Sequence, residues 1–251
     1  MKPFRENYQF KTFSVRGMEL PSVMLGTSPF IGAGQFGAKA MLYHTQFFLQ
    51  PQNITEIVAH CVGLGVNAVQ AVGYPRIMAA IREAMEESDT EVFILGTVGL
   101  GSIEREIESM LEAGAKGVVL HGSLADREID FVREYLAPLR DKGIVTGIAT
   151  HRPGLTIPNV EDLEEVEVIL CPFNKLGRFM EPSFQSTLKA VENSSKKIIA
   201  IKPLAAGRLS AEEGLSYLSH KVDGVAVGIA SKKEAEETFR IARRLLPPEV
   251  S

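Results

Sequence analysis

Eight short apolar runs in this chain are each followed by a polar or small residue, and this repetition constrains the fold more than any other feature. The runs lack the alternation of a half-exposed strand, which is typical of parallel strands buried on both faces. Stretches of helical periodicity separate them. Strands alternating with helices through 251 residues predict a (β/α)8 TIM barrel. The residues after the runs are Thr27, Gln70, Thr97, His121, His151, Asn174, Lys202 and Gly228.

The strand and helix boundaries follow from the same pattern. The predicted strands are 23–26, 67–69, 92–95, 117–120, 144–148, 166–170, 198–201 and 224–227, and the predicted helices are 54–64, 76–87, 103–113, 126–137, 158–163, 184–192, 211–218 and 232–246. Asp126 or Ser123 is expected to cap the fourth helix, and Ser231 the last. An alternating segment from Tyr8 to Val15, followed by Gly17, predicts an N-terminal β-hairpin that closes the bottom of the barrel. A doubly wound sheet is the alternative architecture.

Composition favours one domain over residues 1–251 and a small-molecule ligand. The net charge is −4 and the charges are interspersed, so no basic patch indicates nucleic acid. No apolar run has the length of a membrane span or the character of a signal core. The two cysteines, Cys61 and Cys171, are too few to suggest a disulfide framework, and we expect a reduced, cytoplasmic protein.

Several segments together resemble the aldo/keto reductases. Arg16 to Leu20, leading to Leu25-Gly26-Thr27-Ser28, is similar to the opening of that family. The segments Lys202 to Ser210 and Val227 to Ser231 are similar to its last two barrel units. The resemblance covers most of the chain. It implies that a nicotinamide nucleotide, NAD or NADP, binds across the carboxyl-terminal face of the barrel, and that hydride passes between it and a small carbonyl or alcohol.

The catalytic set implied by the resemblance is incomplete. In the family a Tyr acid is assisted by Lys and His, with an Asp behind the Lys. Tyr74 matches the Tyr with a shortened loop and His121 matches the His, but Gln70 stands at the Asp position and Thr97 ends the strand that should supply the Lys. A tyrosine hydroxyl titrates near ~10, so it needs a nearby ammonium to act as an acid near neutrality. Either Lys202 replaces the missing cation, or the barrel serves another use.

The resemblance and the barrel geometry also suggest binding residues. Loops after the last two barrel strands commonly bind phosphate through backbone N–H groups and a helix N-terminus. An acidic residue at Glu234 would disfavour a 2′-phosphate. A purely structural reading is that Ser231 caps a helix beside solvated lysines. The candidate cofactor-binding residues are Thr27, Asn174, Leu204, Gly207, Arg208, Gly228, Ser231 and Lys232, and the candidate substrate-binding residues are Gln70, His151, Asn174 and His44.

Three other interpretations remain open. His121, His151 and Cys171 end successive strands, which suggests a zinc site for a metal-assisted hydrolase or lyase. A second interpretation, from a different functional class, is that the barrel binds a nucleotide or metabolite without turnover. A buried Lys202 can also form a Schiff base. The glycine- and aromatic-rich loop 28–53 is predicted to be a lid, a packed loop or a dimer contact.

Overall fold

A computed structural model describes residues 10–127 and 129–248, and its centre is a closed barrel of parallel strands. Each barrel strand pairs with the next barrel strand along the chain, and the eighth pairs with the first, which closes the barrel. The (β/α)8 barrel expected from the buried apolar runs is confirmed. The strands are β3 Val23–Gly26, β4 Ala68–Val72, β5 Phe93–Val98, β6 Gly117–Leu120, β7 Val145–Ala149, β8 Val168–Pro172, β9 Lys197–Ile201 and β10 Gly224–Gly228.

A two-stranded hairpin covers the amino-terminal end of the barrel. Its strands are β1 Thr12–Val15 and β2 Met18–Pro21, joined by a turn in which Arg16 and Gly17 both have positive φ. Phe13 and Leu20 pack with side chains that fill the barrel interior, including Phe93. The predicted hairpin is therefore confirmed in its place and its packing role. The predicted first arm began at Tyr8, which lies outside the described residues.

Helices surround the barrel and bury their apolar faces against the outer side of the strands. Most predicted boundaries hold to within a few residues. No helix in the described ranges is long and apolar enough to cross a membrane. The helices are α1 Lys39–Tyr43, α2 Gln52–Gly63, α3 Pro75–Ser88, α4 Ile103–Glu112, α5 Gly122–Ala125, α6 Ile129–Asp141, α7 Pro153–Val160, α8 Phe184–Asn193, α9 Ala211–Leu218 and α10 Lys232–Leu245.

Three segments differ from the sequence-based expectation. The loop 28–53 contains short helical turns at Ser28–Ile31, Gly34–Phe36 and His44–Phe48 as well as α1. Helix α7 begins earlier than predicted, because Pro153 fits its first turn and needs no N–H partner there.

The helix predicted at 126–137 is divided into α5 and α6. Asp126 lies just after α5, as the residue that follows its last turn. Its carboxylate instead accepts hydrogen bonds from the residues that follow β7.

Candidate active site

A cavity of about 570 Å³ opens where the carboxyl ends of the barrel strands meet loop 28–53. This is the end of the barrel at which TIM-barrel enzymes place their active sites. Its volume is suited to a small molecule or part of a cofactor. It is lined from loop 28–53 by Ser28, Gln35, Phe36, Gly37, Ala38, Lys39 and Tyr43, from β3 and β4 by Gly26 and Gln70, from β9 and its loop by Ile201, Lys202, Pro203, Leu204, Ala206, Gly207 and Arg208, and from β10 and α10 by Ala226, Val227, Gly228 and Glu234.

The loop after β9 is shaped by a run of positive φ angles. Lys202, Ala205, Ala206 and Gly207 all have φ between 49° and 81°, a region that side chains other than glycine rarely occupy. Such strain persists where the surroundings enforce it, and it clusters at functional sites. The turn brings Leu204, Gly207 and Arg208, three of the candidate cofactor-binding residues, to the cavity wall. The guanidinium of Arg208 donates to the carbonyl of Ala205 at 3.0 Å.

Neither of the two candidate cofactor-binding residues at the start of α10 reaches the cavity. Ser231 caps the helix, accepting from the N–H of Glu234 at 3.2 Å, and Lys232 pairs with Glu56 of α2 at 2.8 Å. Neither lines the cavity, so the purely structural reading describes both contacts. Glu234 does line it, and its carboxylate accepts from the N–H of Ala230 at 2.8 Å. Burial raises the pKa of Glu234, while Lys39 opposes that shift.

A neutral pair stands where the family has its Asp and Lys. Gln70 Nε2 donates to Thr97 Oγ1 at 2.8 Å, and both residues are buried. Thr27 holds the edge of the same region, because its hydroxyl donates to the carbonyl of Gln70 at 3.1 Å and accepts from the N–H of Val72 at 3.0 Å. These bonds join β3 to β4. Thr27 is therefore occupied in strand pairing, and Gln70 alone of this group lines the cavity.

Tyr74 and His44 lie together, outside the cavity lining. Tyr74 precedes α3 and packs edge-on against Phe48, with ring centroids 5.5 Å apart. His44 stacks on the same Phe48 ring, with ring centroids 5.0 Å apart. The shortened loop after β4 thus turns Tyr74 toward loop 28–53. The structure places it in an aromatic cluster with His44.

His121 and His151 are brought into contact at the ends of β6 and β7, with ring centroids 5.0 Å apart in an edge-to-face arrangement. Burial, and secondarily the neighbouring His151, lowers the pKa of His121 to about 4. Burial, and secondarily Lys202, also lowers the pKa of His151. Asp126, with a largely buried side chain, has Oδ2 3.7 Å from His151 Nδ1. The two imidazoles are therefore neutral near pH 7.

Lys202 lines the cavity, whereas neither His121 nor His151 does. Its ammonium is 5.2 Å from the centroid of Phe179, an arrangement that favours the charged form. The pKa of Lys202 is lowered by burial, and the negative charge of Glu181 opposes part of that shift. Its charge contributes to the lowered pKa values of both histidines, so it lies within electrostatic reach of them.

Asn174 and Cys171 are committed to the protein interior. Asn174 is fully buried, and its amide donates to the carbonyls of Arg178 and Lys202 and accepts from the N–H of Arg178. It therefore fixes the loop after β8, and it does not line the cavity. Burial raises the pKa of the Cys171 thiol to about 12, which disfavours the thiolate that binds zinc. Within residues 10–127 and 129–248, no group of three His, Cys, Asp or Glu side chains is placed to hold a metal ion. The predicted zinc site of His121, His151 and Cys171 is not assembled.

Sequence reasoning missed several wall residues. Gln35, Phe36, Lys39 and Tyr43 reach the cavity from loop 28–53. The length and aromatic content of that loop indicated a cover for a pocket, but nothing in its pattern distinguished inward-facing side chains. Asp126 was noticed only as a helix cap.

Comparison with known proteins gives a consistent answer at the level of fold. No protein-family model matches the chain, and no curated protein matches it in sequence. Among solved structures, a putative aldo-keto reductase from Pseudomonas aeruginosa superposes with a TM-score of 0.68 at 18% identity, over 97% of this chain and 98% of the other. An aldo-keto reductase from Bacillus halodurans in its holo form has a TM-score of 0.67 at 14% identity, over 94% and 95% of the two chains.

A third structure was solved with a bound nucleotide. It is an aldo-keto reductase from Klebsiella pneumoniae in complex with NADPH, with a TM-score of 0.64 at 16% identity, over 96% of this chain and 97% of the other. At such low identity the likeness concerns the fold. The chain therefore has an aldo-keto reductase-like fold, as its sequence segments implied.

Proposed function

We propose that this barrel binds a nicotinamide dinucleotide in the cavity described above and transfers hydride between it and a small carbonyl or alcohol. The observation that carries the proposal is the wall built by the loop after β9, the end of β10 and the first turn of α10, the region that commonly holds phosphate in TIM barrels. The likeness in fold to a reductase solved with NADPH supports it.

The residues in the wall fit such a ligand in several respects. Gly207 has open space around its α-carbon, so the backbone there can approach a diphosphate closely. Arg208 is exposed at the same edge and supplies a positive charge. Glu234 adds a negative charge to the wall, which favours NAD over NADP because a 2′-phosphate would be repelled.

The chemistry proposed for the chain's own residues differs from that of the family. When bound, the nicotinamide supplies or accepts the hydride. In the reduction direction, the Lys202 ammonium at the cavity stabilises the negative charge that develops on the carbonyl oxygen and gives it the proton that completes the alcohol. His121 does not line the cavity, and it provides a neutral hydrogen-bond donor where the substrate extends from Lys202 toward the end of β6. Gln70 with Thr97 forms a neutral floor. Tyr74, packed on Phe48, has no part in this mechanism.

Calorimetric titration of metal-stripped protein with NADH and NADPH tests the proposal. We expect micromolar binding, tighter for NADH. Arg208→Ala should weaken binding, because it removes a charge from the cavity wall, whereas Lys232→Ala should leave it unchanged, because Lys232 faces Glu56. Absence of binding for both nucleotides, or equal losses in the two variants, would contradict the proposed site.

A second candidate function is nucleotide or metabolite binding without turnover. The neutral Gln70–Thr97 pair favours it, since no ammonium stands there to activate an acid. A broad carbonyl panel with bound NADH separates the two functions. Turnover that is lost in His121→Ala and Lys202→Met supports the reductase. Nucleotide affinity with no reduction of any carbonyl in the panel supports the binding protein.

A further inference from the structure

The histidine pair is part of a larger arrangement that joins the ends of β6 and β7. Asp126 accepts hydrogen bonds from the hydroxyls of Thr150 and Thr156 and from the N–H of His151, the last at 2.9 Å. These three donors fix the carboxylate next to the His151 ring. Asp126, His151 and His121 thus follow one another in space, with the buried carboxylate at one end and the barrel mouth at the other.

Gly122 provides the space for this arrangement. A Cβ atom at position 122 would lie 2.6 Å from His151 Nδ1 and 2.9 Å from Asp126 Oδ2, distances that an added side chain does not tolerate. The φ of Gly122 is not positive, so its conformation does not demand glycine. The absence of a side chain next to His121 therefore allows His151 and Asp126 to pack against the main chain there.

The hydrogen bonds of His121 determine where its proton lies. The backbone N–H of Ser123 donates to His121 Nδ1 at 3.2 Å, and Ser123 Oγ lies 2.8 Å from the same atom. A backbone N–H can only donate, so Nδ1 is the acceptor and carries no proton. The neutral imidazole of His121 then bears its proton on Nε2. This tautomer provides the hydrogen-bond donor that the proposed reaction requires.

We propose that His151, with Asp126 behind it, is a positioning residue that fixes the orientation of His121 and keeps His121 neutral. A proton taken up by the pair resides on His151, because that ring faces the carboxylate of Asp126. His121 next to it then remains an Nε2–H donor at the barrel mouth. This inference rests on the role proposed for His121 and adds a residue outside the reacting atoms to that site.

The charged groups around the pair are consistent with this division. His121 is influenced by His151, Asp126 and Lys202, and His151 by Lys202, Asp126 and Glu181. Burial lowers the pKa of both rings most, the positive charges of a protonated His151 and of Lys202 lower that of His121 further, and Asp126 raises the pKa of both. A second proton on His121 would meet two cations. The pair therefore takes up its first proton on His151 and the second, on His121, at lower pH.

The test is a ¹⁵N NMR titration of the histidine side chains. The chain has only five histidines, so single substitutions assign the signals of His121 and His151. In the wild type we expect His121 to show an unprotonated Nδ1 and to titrate below His151. His151→Phe keeps an aromatic ring of similar shape but removes its charge. If His151 sets the charge of His121, this variant raises the pKa of His121, by at least about half a unit.

A second variant gives a shift of the opposite sign. Asp126→Asn removes the negative charge and should lower the pKa of both His121 and His151. Glu181→Gln is the matched control, because Glu181 influences His151 but is not among the groups that act on His121. Glu181→Gln should lower the pKa of His151 and leave the pKa of His121 unchanged. Thermal unfolding followed by circular dichroism establishes that each variant folds.

The outcomes separate this inference from the proposed function. If His151→Phe and Asp126→Asn, both folded, leave the pKa and tautomer of His121 unchanged, the Asp126–His151 unit only fills space and the inference is wrong. A shift of equal sign in both variants also contradicts it. Failure to bind NADH or NADPH would contradict the proposed function and would not change these titrations.

Discussion

Removal of the Asp126 carboxylate should destabilise the fold measurably, and the structure allows the size of the effect to be worked out. Three groups donate to Asp126, and its side chain is 8% exposed. A hydrogen bond to a charged acceptor contributes about 1.5–3 kcal/mol. The loss in Asp126→Ala is smaller than the sum of three such hydrogen bonds, because Thr150 Oγ1 still accepts from the N–H of Arg152 and His151 is an exposed residue whose N–H can bond to water. We expect a loss of about 3 kcal/mol in the free energy of unfolding.

Urea unfolding followed by circular dichroism measures this loss as a shift of midpoint at unchanged slope. The corresponding fall in Tm is about 6–12 °C, from about 2–4 °C per kcal/mol for a chain of this size. Asp126→Asn keeps one oxygen to accept from the threonine hydroxyls and should lose less. Asp162→Ala, at an exposed carboxylate, is the control and should change stability by under about 0.5 kcal/mol. A loss in Asp126→Ala no larger than that of the control would refute the assignment of Asp126 as the acceptor that joins α5 to the residues after β7.

Three further predictions concern the histidine, the cavity wall and the hairpin. The pKa of His121 is about 4 in the folded state, below its unfolded value of 6.5, so the stability that neutral His121 contributes above pH 6.5 is lost as the pH falls toward 4. His121→Gln should therefore flatten the pH dependence of the urea midpoint between these two values. Glu234→Gln keeps an acceptor for the N–H of Ala230 and should raise NADPH affinity relative to NADH in calorimetry; an unchanged ratio would show that Glu234 does not face the ribose phosphate. Phe13→Ala should lower the free energy of unfolding by about 3 kcal/mol in urea while nucleotide affinity stays constant, since Phe13 fills the far end of the barrel; a change in affinity would contradict that separation.

The barrel was predictable because its strands are buried on both faces and follow one another in a regular order. Each apolar run in the sequence is a strand in the structure, and the residues after the runs therefore meet at one end. The loop contents were not predictable in the same way. Glycine and aromatic residues in loop 28–53 have no periodicity, so neither its helical turns nor the inward direction of Lys39 and Tyr43 could be read from the pattern.

Local polar signals were ambiguous for a physical reason. An Asp ahead of an apolar helical stretch has the same sequence appearance whether it caps that helix or accepts hydrogen bonds from a neighbouring loop. Asp126 does the second, and the contacts that decide this come from Thr150 and Thr156, far along the chain. Ser231, whose partner is only three residues away, was predicted correctly as a cap. Capping is a local interaction and can be predicted from sequence, whereas a carboxylate bound by distant donors cannot.

The neutral pair of Gln70 and Thr97 has a consequence for any reductase activity of this barrel. Both residues are at most 6% exposed and are joined by one hydrogen bond. A lysine introduced at position 97 alone would place an ammonium beside an amide in the interior, where an unpaired charge is strongly unfavourable. An ion pair at this place therefore requires both positions to change together. Apart from loop 28–53, the cations that line the cavity are Lys202, just after β9, and Arg208 in the following loop. If hydride transfer occurs here, its positive charge comes from these cations, and the neutral histidine pair contributes a hydrogen-bond donor.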